Sequence, residues 1–149
     1  MNRYPQLKRH LHLLIILMGL SFASCKVEKI TAANEGTKDL TGTWKVVHAT
    51  RNGTDLIPLY DFSQFILKFD AKSQSYTLAN PLPFIVGTDG KYALDDPQYP
   101  FKLTFTASGG TPVTTAFNYP IVAGSRTIIL SFSPGCTLNT YVYTFTKSN

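Results

Sequence analysis

The chain has 149 residues, of which 44% are hydrophobic and 15% charged, and a net charge of +5. That is enough apolar content for one domain with a real core and too much for a disordered polyelectrolyte. Three of its 14 basic residues, Arg3, Lys8 and Arg9, stand at the N-terminus; the remainder is close to charge balance, which argues against a nucleic-acid partner.

The basic start is followed by an apolar run over residues 11–22, interrupted by His12, and then by Ala23 and Ser24. Basic, apolar and small is the layout of a secretory signal, and the run is short of the ~20 residues that span a bilayer as a helix. Phe22-Ala23-Ser24-Cys25 resembles a bacterial lipobox. That resemblance implies cleavage before Cys25 and lipidation of its sulfur, so residues 1–24 are expected to be a signal peptide. Acyl chains then hold the protein on a membrane, each buried methylene contributing ~0.8 kcal/mol. Lys26 after the cysteine resembles lipoproteins of an outer membrane, facing either the periplasm or the surface. A lipidated Cys25 cannot form a disulfide. Cys136, in the turn-like Ser133-Pro134-Gly135-Cys136, is then a lone thiol, expected to be buried or inert.

Residues 25–39 are polar and without period, and read as a flexible tether; the domain is expected from residue 40 to the end. Trp44 and Val46 alternate with Lys45 and Val47 as in a strand, with His48 and Thr50 continuing the Trp44 face. Asn52-Gly53 predicts a turn, because both residues tolerate positive φ. Further strands are expected at residues 65–69, 76–78, 84–86, 91–94, 101–105, 113–119, 126–132 and 141–145, with turn signals between them. No stretch carries a helical period. Eight or nine short strands rich in aromatic and β-branched residues predict an all-β domain, either a small antiparallel barrel or a β-sandwich. Barrel closure would remove exposed edges.

Leu40-x-Gly42-x-Trp44 resembles the opening motif of lipocalins, in which the Trp closes one end of an up-and-down barrel. Thr43-Trp44-Lys45-Val46, Tyr60-Asp61-Phe62, Leu94-Asp95-Asp96-Pro97 and the closing Tyr141-x-Tyr143-x-Phe145 resemble the lipocalin-like lipoproteins of the Bacteroidota. The resemblance implies a lipocalin-like barrel, structural roles for Gly42 and Trp44, and an envelope address. It transfers no active site.

Chemistry-bearing groups are sparse. His48 is the single histidine after the signal, and nothing in its sequence neighbourhood suggests a catalytic triad. Metal ligands at useful spacing are missing. Asp95-Asp96 reads as a solvated turn before Pro97, with calcium as the alternative. The aromatic residues read mainly as core. Tyr60, Phe62, Tyr99 and Tyr119 fall near predicted strand ends and are the candidate ligand-binding residues. The expected protein is not an enzyme and uses no cofactor. It binds a small apolar or glycan-like ligand, or else serves an envelope assembly through an aromatic patch.

Overall fold

A computed structural model describes residues 35–80 and 82–148; the expected signal, Cys25 and the first part of the tether lie outside them. The strands are β1 (Gly42–Arg51), β2 (Thr54–Asp55), β3 (Ile66–Asp70), β4 (Ser75–Ala79) and β5 (Gly90–Leu94). They continue with β6 (Lys102–Ala107), β7 (Pro112–Asn118), β8 (Ile121–Val122), β9 (Ser125–Phe132) and β10 (Tyr141–Ser148). Every pairing is antiparallel. β1, β3, β4, β5, β6, β7, β9 and β10 are neighbours in that order, and β10 pairs back onto β1. The sheet therefore closes on itself as an eight-stranded up-and-down barrel of lipocalin-like architecture, which settles barrel against sandwich. β2 and β8 are two-residue strands outside the ring, pairing with β1 and β9.

Period-2 alternation explains which side chains turn inward. Leu67 and Phe69 of β3, Leu103 and Phe105 of β6, Ile128 and Leu130 of β9, and Tyr143 and Phe145 of β10 are all buried. The rings interlock edge to face as aromatic quadrupoles prefer: Phe69 meets Tyr92 at 4.8 Å, and Tyr76 meets Phe105 at 5.0 Å. The middle of the barrel is thus packed with side chains.

One end is closed by Trp44. Its indole N–H donates to the Leu40 carbonyl at 2.8 Å, and its ring packs 6.1 Å from Tyr119. Gly42 sits at φ +132°, a conformation that L side chains rarely adopt, and a Cβ there would meet Lys147 Cε at 2.4 Å. The last tether residues reach this end, where the Lys38 N–H donates to Pro97 O and Tyr119 Oη donates to Asp39 O.

Residues 84–86, expected as a strand, are not one. β4 and β5 pair only at Ser75 with Lys91 and Tyr76 with Gly90. Beyond that point the Leu78 N–H donates to Asp89 Oδ1 at 2.8 Å rather than to a neighbouring strand. Asn80, at φ +50°, turns the chain out of the ladder, and Pro83 has no N–H with which to rejoin it. Residues 82–89 instead fold over the second end of the barrel and drop Phe84 into it. Phe84 lies within about 6 Å of five rings, those of Phe65, Phe105, Phe132, Tyr143 and Phe145. The apolar run is real, but it is a plug and not a strand.

Two buried tyrosines give opposite mutational predictions. Tyr143 Oη donates to Pro83 O at 2.8 Å, tying the plug loop to β10, whereas the buried Tyr76 hydroxyl has no partner among the described residues. Tyr76→Phe is expected to raise stability by about 1 kcal/mol and Tyr143→Phe to lower it by about 1 kcal/mol, read by urea unfolding. Burial pushes both phenols up to about 12, above the ordinary value near 10. The folded state therefore holds these protons more tightly than the unfolded chain. Their contribution to stability is complete below pH 10 and is lost as pH rises from 10 to 12.

Candidate functional site

The site begins with an irregularity in β1. Val46 pairs with Phe145 but His48 pairs with Thr144, so Val47 is an extra residue, a β-bulge. The bulge reverses the inside–outside phase. Before it, Trp44 is buried; after it, Ala49 is buried, while His48 points to solvent. The expected continuation of the Trp44 face through His48 and Thr50 is thereby corrected. The new phase carries Arg51, two residues beyond Ala49, over the inner side of the barrel at its plugged end.

There Arg51 and Asn52 join Thr54, Leu56, Leu59, Tyr60, Phe62, Leu82, Pro83, Tyr141 and Tyr143 around a cavity of about 350 Å³. This is the small end of the range for small-molecule sites, and the wall is mainly apolar with a polar group on one side. Tyr143 and Phe62, both buried, meet edge to face at 5.5 Å; Tyr60, more than half exposed, leans on Phe62 at 6.4 Å. The connector from β2 to β3 holds these rings through side-chain turns: Asp55 Oδ1 accepts the Ile57 N–H and Asp61 Oδ1 accepts the Ser63 N–H. The Ser63 hydrogen bonds hold the Asp61 carboxyl below the usual carboxylate range.

Arg51 is firmly placed. Nη2 and Nε donate to Asn139 Oδ1 at 2.6 and 3.2 Å, and the guanidinium lies 5.9 Å from the centre of the Tyr141 ring. Asn52, at φ +50° in the expected turn, fixes the other side of the loop. Its N–H donates to Thr140 O, and its Oδ1 accepts the Thr140 N–H.

Of the four candidate residues, Tyr60 and Phe62 border this cavity. Tyr119 and Tyr99 lie at the opposite, Trp44 end, so the four do not share one mouth. Tyr119 packs between Trp44 and Phe117 with Arg126 over its ring at 5.2 Å; the Glu35 N–H donates to Tyr99 Oη. Arg51, Leu56, Tyr141 and Tyr143 escaped sequence reasoning because their roles depend on the bulge and on loops converging from distant positions.

The remaining groups have structural partners. Asp95 Oδ1 accepts the N–H groups of Phe101 and Lys102, and Asp96 Oδ1 those of Gln98 and Tyr99. These bonds hold the Asp95 carboxyl below its ordinary range, Lys102 contributing most. The acidic pair is thus a loop clasp. His48 Nδ1 lies 4.0 Å from Asp55 Oδ1, with both side chains half exposed. Cys136 is an exposed thiol rather than a buried one.

No curated protein and no solved structure matches the chain. The family described as Domain of unknown function (DUF5004) matches residues 23–146, nearly the whole of it. The chain belongs to the DUF5004 family.

Proposed function

We propose that this protein is an envelope lipoprotein, anchored by lipid at Cys25, whose barrel is a non-enzymatic binding domain for a small apolar or glycan-like ligand. The observation that carries the binding half is the cavity at the plugged end, where Leu56, Leu59, Phe62 and Leu82 offer apolar surface beside Arg51 and Asn52. The filled barrel centre moves the site from an interior calyx to the mouth. The anchoring half is supported by Phe22-Ala23-Ser24-Cys25 after a basic and apolar leader. By its resemblance to lipocalin-like lipoproteins of the Bacteroidota, the domain stands on the outer membrane, facing the periplasm or the cell exterior. It needs no cofactor and binds no nucleic acid.

Metabolic labelling with an alkyne-bearing palmitate tests the anchor. The wild-type chain is expected to take up label and to partition with membranes, and Cys25→Ser to lose both. An unlabelled wild-type chain would remove lipid anchoring. A second reading, an accessory subunit of an envelope assembly, is favoured by Tyr99, Phe101, Ile121 and Val122, which are exposed at the Trp44 end.

A further inference from the structure

We infer that the cavity at the plugged end selects a small amphipathic anion, its oxyanion head on Arg51 and its apolar body against Leu56, Leu59, Tyr60 and Phe62. This builds on the ligand-binding reading above and names the class of ligand. Three observations converge on it.

The first is the charge of the site. Among the described residues that line the cavity, Arg51 is the one ionised side chain and none is a carboxylate. The nearest acids in sequence, Asp55 and Asp61, have oxygens occupied by the Ile57 and Ser63 amides. Among the described residues the ion pairs do not include Arg51. A cation facing an apolar wall without a counter-charge favours an anion from outside.

The second is preorganisation. A guanidinium has five N–H donors, and Asn139 engages two of them through one oxygen. The Tyr141 ring supports the guanidinium, leaving N–H groups to meet a planar oxyanion with little rotamer entropy to lose. The third is the bulge at Val47. Were Val47 paired in an unbroken ladder instead of bulged, Arg51 would fall in the outward phase of β1; bulges commonly re-aim a side chain at a site.

The volume limits the body. About 350 Å³ suits a short chain or a single ring, not a full-length acyl chain. Hexanoate and 1-hexanol are therefore suitable probes, having the same chain length and different heads. Titration of the purified full chain by ligand-observed NMR is expected to show hexanoate binding about fivefold to tenfold tighter than hexanol. Added salt should narrow that ratio. Arg51→Gln is expected to abolish the preference while hexanol binding persists. Tyr60→Ala, at the exposed rim, should weaken both probes alike and leave their ratio intact. Equal affinities in the wild-type chain would overturn the anion assignment and leave the binding reading standing. Binding of neither probe would overturn both. The wild-type ratio needs no variant to fold. An unchanged preference in Arg51→Gln would place the head elsewhere and sink the assignment.

Discussion

Trp44→Ala is expected to cost about 3–5 kcal/mol of unfolding free energy, a large share of the ~5–15 kcal/mol typical of a whole domain. The loss has two parts. The indole is fully buried at the closed end, so its removal leaves a void between Leu40, Tyr119 and the strands. The Leu40 carbonyl also loses the N–H that satisfies it, in a place with little access to water. Trp44→Phe should separate the parts, keeping much of the apolar burial while forfeiting the hydrogen bond, at roughly half the cost. Because Trp44 is the only tryptophan of the chain, circular dichroism should follow these two variants in urea. A cost below about 1 kcal/mol for Trp44→Ala would show that the end is closed by something else.

The closed end and the binding end differ in how far they could be read from sequence, for a physical reason. Leu40, Gly42 and Trp44 are neighbours along the chain, and their interaction is local: a side-chain N–H reaches a carbonyl four residues back. Alternation along residues 65–69, 101–105 and 141–145 likewise reports directly on which face meets the core. The ring order then follows from short turns between sequential strands. The choice between barrel and sandwich was not local, since it depends on β10 returning to β1 across some hundred residues.

The binding end depends on two departures from regularity. A bulge leaves no residue-type signature in Val46-Val47-His48, which reads as continuous strand until Thr144 and Phe145 are seen opposite it. The plug misleads differently. Phe84-Ile85-Val86 has the composition of a buried strand because it is buried, but it contacts side chains inside the barrel rather than backbone at a sheet edge. Burial and pairing are separate requirements, and composition reports mainly the first. Pro83, which has no N–H for a ladder, and Asn80, a residue type that tolerates the positive φ found there, were the available signs that pairing fails.

Phe84→Ala should reveal what the plug holds back. Removing a ring packed among five others is expected to cost about 3–5 kcal/mol if the surrounding side chains stay in place. Phe84 is on a loop, and the loop can settle inward and recover part of that loss, so the lower end of the range is the expected value. Settling is opposed by two ties: Tyr143 Oη to Pro83 O, and Asn80 Nδ2 to Gln64 O. Both anchor the loop at its rim. A void lined by Phe65, Phe105, Phe132 and Phe145 would be apolar, and apolar cavities of this kind stay dry and accept small aromatic molecules. Pro83 and Tyr143 already border the mouth cavity, so the void would extend that cavity into the barrel. Benzene should therefore stabilise Phe84→Ala more than the wild-type chain, by an increment that grows with the logarithm of benzene concentration above its Kd. Urea unfolding followed by Trp44 fluorescence, with and without benzene, reads both effects. Loss of stability without rescue would mean that the loop collapses into the space. A loss under 1 kcal/mol would mean that Phe84 is not the plug. The expected pair, a large loss partly reversed by benzene, would identify the barrel centre as a binding volume filled by the protein's own side chain.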